Sequence, residues 1–194
     1  MTNIWEGNLV RLRAVEPSDW ELFSAWNLDS DAAREGYEVQ FPQSDEAAKR
    51  WAEAQSVQVA ESDAFRWVIE TLDGKAVGTI NTHSCNARNG TFSYGVFVSE
   101  EYRRKGYAGE AIKLVLSFYF DELRYQKATV HVYSFNKTSA ALHEQLGFAL
   151  EGQLRSMVYS GGQFFDTFVF GITAGEYRAK HLRFRSKEAS AGGS

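Results

Sequence analysis

From Leu9 to Ala14 apolar and charged positions alternate (LVRLRA), the period of a strand with one buried face. Pro17-Ser18-Asp19 follows, and proline beside a capping side chain predicts a helix start, with Trp20, Phe23 and Trp26 on one face. The stretch 29–42 is polar and punctuated by Gly36 and Pro42, so it reads as irregular. Ser44 is placed to cap a second helix carrying Trp51, with Asp45 and Glu46 in its first turn, where the helix dipole favours anions. Strands are expected at Phe65–Thr71, Ala76–Thr82 and Thr91–Val98, separated by turns at Asp73-Gly74 and Asn89-Gly90.

A stripe at helical spacing (Ala108, Ala111, Ile112, Val115, Leu116, Tyr119, Phe120, Leu123) predicts one helix over 107–123. A strand is expected at Ala128–Tyr133. A short helix then runs from Asn136 to Leu146, stopped by Gly147, with Phe148 as its hydrophobic latch. Ala149–Tyr159 and Phe164–Ile172 form a hairpin around Gly161-Gly162. The segment 176–185 is basic and amphipathic, a solvated helix face, and 186–194 is small and polar, expected to be disordered. The order β, α, α, three β, α, β, α, two β sets hairpins beside helical crossovers. It predicts an α/β fold with a mixed sheet and helices on its faces, in a single domain over 1–185.

Composition narrows the function. The chain has 194 residues, 44% of them hydrophobic, enough for one real core. A net charge of −4 argues against a nucleic-acid partner, whose footprint is usually basic. The one cysteine, Cys85, excludes an intrachain disulfide. Residues 1–10 lack the pattern of a secretion signal, and no apolar run approaches the roughly 18 residues of a membrane span. A cytoplasmic chain without a membrane partner is expected.

The stretch SEEYRRKGYAGEAI, Ser99 to Ile112, carries the chemistry. A strand, a basic glycine-containing loop and a helix start make an anion site, because the first helical amides lack partners and the dipole adds positive charge. Arg103, Arg104 and Lys105 supply charge, Gly106 lets the backbone approach a phosphate, and Tyr107, Ala108 and Gly109 open the helix. The nucleotide patterns GxxxxGK[ST] and GxGxxG are absent from the sequence. What stands here is R-x-x-G-x-A, followed downstream by NKTSAALHEQLGF, Asn136 to Phe148. Together they resemble the GNAT superfamily of acetyl-CoA-dependent N-acetyltransferases, most of all its ribosomal-protein alanine and spermidine acetyltransferase branches. The resemblance spans about residues 8–172.

That resemblance implies a mostly antiparallel twisted sheet of about seven strands in which two parallel strands splay apart. It implies that acetyl-CoA, with no metal, lies in the gap, gripped by residues 103–109 and by Asn136 and Ser139. The backbone of Val96, Phe97 and Val98 then meets the pantetheine arm and polarises the thioester. A bound amine attacks directly, without an acyl-enzyme. Seven residues after Asn136 many relatives carry a tyrosine that serves the leaving thiolate; here His143 stands there, either as general acid or packed beside the coenzyme. A glutamate common on the strand before the loop is replaced by Ser93, which could hold a water as base. Asp166, in the last hairpin, could bind the amine or serve as cap or ion-pair partner. His83 and His131 read as ordinary core or surface histidines, and His83-x-Cys85 lacks the further ligands of a metal site. The acceptor wall is expected from Trp26, Tyr37, Phe41 and Trp51 with Asp29, Asp31, Glu35 and Glu38, which leaves a protein N-terminus, a polyamine and an antibiotic amine open. A coenzyme A-binding sensor without turnover is the alternative, and a homodimer is common among similar proteins.

Overall fold

The computed structural model describes residues 3–36, 39–59 and 62–181. Tyr37, Glu38 and the tail 186–194 lie outside the described residues, as does the end of the basic segment. Seven strands form one sheet in the order β1-β2-β3-β4-β5-β7-β6. They are β1 (Val10–Ala14), β2 (Arg66–Thr71), β3 (Ala76–Asn86), β4 (Thr91–Val98), β5 (Lys127–Tyr133), β6 (Ala149–Ser160) and β7 (Gln163–Thr173). Every neighbouring pair is antiparallel except β4 and β5. The helices are α1 (Trp20–Leu28), α2 (Ser30–Gly36), α3 (Asp45–Ser56), α4 (Tyr107–Ser117) and α5 (Lys137–Leu146), and residues 174–181 are helical as well.

The strand alternation assigns the two faces. Phe92 and Tyr94 of β4 and Ala128, Val130 and Val132 of β5 are buried against Ala111, Ile112, Val115 and Leu116 of α4 and Leu146 of α5. On the other face Val15 and Val68 pack with Phe23 and Trp26 of α1, and Trp51 of α3 and Phe97 of β4 lie against them. Trp26 and Trp51 are therefore part of this second core: the Phe23 ring meets them at 5.2 and 4.6 Å, edge to face.

Three boundaries differ from the sequence expectation. The stretch after Asp29 is not irregular but forms α2. Asp29 caps it through its side chain to the Ala32 amide at 2.9 Å, and Ala32 and Ala33 are buried. The long helix ends as α-helix at Ser117 and continues as a π-helical turn over Phe118–Glu122, closed by Leu123 N–H to the Phe118 carbonyl at 3.2 Å. Strand β3 runs on to Asn86 through a register shift after His83.

Charged side chains tie the edge together. The carboxylate of Glu110, in the first turn of α4, accepts the amides of Asn8, Leu9 and Val10 and fixes the entry into β1. Arg13 on β1 donates to both oxygens of Asp19 at 2.7 and 2.9 Å and to Glu70 of β2. Burial alone would raise the Asp19 carboxyl, but hydrogen bonds from Arg13 and the Glu16 amide carry it below the usual range.

Candidate active site

Strand β4 holds β3 along its whole length, with Gly78 opposite Val98. Its pairing with β5 is short: Thr91 with Lys127, Phe92 with Ala128 and Ser93 with Thr129. Beyond that rung β5 pairs only with β7, through His131–Val169 and Tyr133–Thr167. The two parallel strands therefore part after Ser93, and the edge of β4 from Tyr94 to Val98 faces a gap. This residue pattern places Val96, Phe97 and Val98 on the open edge. The Val98 carbonyl accepts from Arg103 Nε at 3.1 Å.

The loop after β4 ends at the same mouth. Glu100–Tyr102 make one 3-10 turn, Arg104 and Gly106 both take positive φ (62° and 86°), and Gly106 becomes the N-cap of α4. The first bond inside α4 is Glu110 N–H to the Gly106 carbonyl at 3.1 Å, so the amides of Tyr107, Ala108 and Gly109 precede the ladder. No side chain among the described residues caps this terminus. Arg104, Lys105 and Gly106 are exposed around it. An uncapped helix start ringed by cations is built to receive an anion.

Asn136 caps α5, accepting the Ser139 amide at 2.9 Å, and its Nδ2 donates to the Glu35 carbonyl of α2 at 2.9 Å. The Glu35 carboxylate in turn pairs with Arg103 at 2.8 Å. One residue of α2 thus bridges the basic loop and the start of α5. Of the other acids expected in an acceptor wall, Asp29 is a cap and Asp31 pairs with Arg34. Phe41 is 92% exposed.

His143 is buried, 3% exposed, beneath Phe148 and beside Tyr94, with ring centroids 5.2 and 5.9 Å away. Its Nδ1 sits 2.7 Å from the Ser139 carbonyl. A carbonyl only accepts, so Nδ1 carries the proton and Nε2 a lone pair. Burial also lowers its pKa, opposed by that hydrogen bond, which keeps the ring neutral. A neutral ring of this tautomer takes a proton at Nε2 and does not give one there. His143 Nε2 and the Tyr94 hydroxyl are both buried without a hydrogen-bond partner among the described residues.

Ser93 lies on the last closed rung, on the face away from α4. Asp166 spends both oxygens on a bulge of β6, accepting the Ser156 amide at 2.8 Å and the Gln153 side chain. Those bonds, the amide first, hold its carboxyl below the usual range. It shapes the hairpin. A separate cavity of about 430 Å³, lined by Trp5, Phe65, Trp67 and Phe118 together with Asp63 and Tyr119, lies at the far end of α4.

The family described as Acetyltransferase (GNAT) domain matches residues 10–149. The chain belongs to the GNAT acetyltransferases. Among its relatives is the SPbeta prophage-derived uncharacterized N-acetyltransferase YokL of Bacillus subtilis, 42% identical over 91% of this chain and 97% of the relative. The spermidine N(1)-acetyltransferase of Escherichia coli is 27% identical over 89% of this chain and 90% of its own length. In fold, this GNAT chain is similar to the spermidine N-acetyltransferase of Vibrio cholerae solved with CoA and spermine, with a TM-score of 0.78 at 21% identity over 88% of this chain and 99% of that one.

Two features of this acetyltransferase leave no signal in its sequence. The bridging role of Glu35 depends on α2, whose short helix carries no apolar period. The second is the place of His83 and His131, which face the same side as Ser93.

Proposed function

We propose that the chain transfers the acetyl group of acetyl-CoA to a primary amine by direct attack in a ternary complex. The observation that carries this is the parting of β4 from β5 at the end of the molecule where α4 begins uncapped. In this reading the amides of residues 107–109, with Arg103, Arg104 and Lys105, hold the diphosphate, and Asn136 and Ser139 flank the pantetheine arm. An amide of Val96, Phe97 or Val98 polarises the thioester carbonyl as its oxygen gains charge. Ser93 lines the cleft where the amine arrives, and holding both reactants there supplies much of the rate. His143 orients the cleft wall from behind, and Asp166 sets the hairpin beside it. Spermidine acetyltransferases among the relatives make a polyamine the first acceptor to try, with an N-terminal peptide the second.

Calorimetry with acetyl-CoA, then thiol release with spermine and with an alanine-terminated peptide, tests the reading. Binding followed by amine-dependent thiol release is expected. Absence of binding overturns the reading, and binding without release for any amine assigns a coenzyme A sensor instead.

The Glu35–Arg103 pair competes with a diphosphate for the same guanidinium. Glu35→Ala is expected to tighten acetyl-CoA binding about two- to fivefold, the range of a half-exposed ion pair. A calorimetric titration at low salt checks it.

A further inference from the structure

Register places His83 of β3 directly opposite Ser93, and Ser93 directly opposite Thr129 of β5. The three side chains form one rung across the sheet, at the point where β4 and β5 part. Strand alternation turns this rung away from the α4 core, toward the face that α1 and α3 leave uncovered here. His131, two residues along β5, is on the same face, and both histidines are exposed. Gly95, next along β4, keeps the floor open: a Cβ there would lie 3.3 Å from the Asn81 side chain.

Resting on the acetyl-transfer reading, we propose that His83, standing across from Ser93, is the base that takes the proton of the acceptor ammonium. The Nδ1 atom lies 3.1 Å from Ser84 Oγ, and with the Nδ1 proton donated to that hydroxyl the lone pair stands on Nε2. The ammonium gives one proton to the Nε2 lone pair, directly or through one water on Ser93. The neutral amine then forms its bond to the acetyl carbon as the carbon–sulfur bond breaks and the electron pair leaves on sulfur. The second amine proton goes to the thiolate or to solvent, and His83 releases its proton to water before the next turnover.

The surroundings suit a base at neutral pH. Partial desolvation of the ring against the sheet first, and the His131 ring second, lower the His83 pKa, so the imidazole is free to accept. From β5, His131 and Lys127 face it, and Lys127 is held by Glu151 of β6 at 2.6 Å. From β2, Arg66 lies opposite Asn81 and reaches over the Trp51 ring of α3. Ser93 and Gly95 of β4 carry no charge.

The test is His83→Gln, assayed against pH with two amines: spermine, protonated at neutral pH, and hydroxylamine, already neutral there. With spermine kcat/KM is expected to fall about hundredfold, the scale of a positioned base, while hydroxylamine turnover stays within threefold and acetyl-CoA affinity is unchanged. The wild-type acid limb, set below the ordinary histidine range, is expected to vanish from the variant's profile. Ser93→Glu added to His83→Gln puts a carboxylate on the rung in place of the imidazole and is expected to restore a tenth or more of the lost rate. Equal losses with both amines, or an unchanged spermine profile, overturn the proposal while leaving acetyl transfer standing. A wild-type chain that binds acetyl-CoA and acetylates neither amine overturns both.

Discussion

The Gly106→Val variant is expected to bind acetyl-CoA at least ~hundredfold more weakly than the parent chain while keeping its far-UV spectrum. Gly106 has φ +86° and is the last residue before α4, so its backbone aims the amides that follow. A β-branched residue is an outlier at that φ, and a Cβ there would also stand 3.1 Å from Leu9 Cδ1. The strain, about 1–3 kcal/mol, is relieved if the loop rotates toward negative φ, and rotation turns the amides away from the diphosphate. A hundredfold loss corresponds to about 2.7 kcal/mol, the worth of one or two charge-assisted hydrogen bonds. Calorimetry measures the loss. A thermal scan is expected to show only a few degrees of destabilisation, because the helix keeps its Glu110 clamp on Asn8, Leu9 and Val10. Affinity within threefold of the parent would remove the helix start from the binding site.

The second large effect concerns stability. Asp19→Asn leaves Arg13 with a half-empty fork beside a side chain that is 5% exposed. Removing one partner of a buried pair costs about 3–5 kcal/mol; Arg13 is itself 26% exposed and keeps Glu70, so about 2–3 kcal/mol is expected. For a chain of this size that is a fall in Tm of about 5–10 °C at pH 7. The pH dependence has a definite sign. The Asp19 and Glu70 carboxyls both lie lower in the folded than in the unfolded chain, since the hydrogen bonds and charge of Arg13, joined at Glu70 by Arg11, outweigh burial. Their stabilisation is complete above the unfolded values, about 3.9 and 4.3, and is lost as pH falls through the lower folded values. Denaturation in urea from pH 7 to pH 3 is expected to show the variant losing less stability than the parent, so that the two curves converge in acid. Parallel curves would mean that Asp19 does not depend on its charge.

Elements whose causes are local can be read off the order of residues alone. The stripe from Ala108 to Leu116 wraps one side of α4 because apolar side chains at helical spacing must share a buried face. Gly147 ends α5 because it alone takes φ +100° there without strain, and Phe148 folds back into the core behind it. Ser44 caps α3 as its side chain dictates, accepting the Ala47 amide. The basic loop and its glycine were legible for the same reason, since an anion site at a helix start is built from consecutive residues.

Tertiary structure decided what depends on distant chain segments meeting. Residues 30–36 are helical because Ala32 and Ala33 find a buried surface, which no local period announces. The His143 tautomer is chosen by burial and by the Ser139 carbonyl, not by its residue type. His83, Ser93 and Thr129 share a rung only because register is set by the pairing of three strands, and a shift of one residue would turn each to the opposite face. Side-chain chemistry is written in the order of residues. Which side chains can act together is written in burial and register, and those exist only once the sheet has formed.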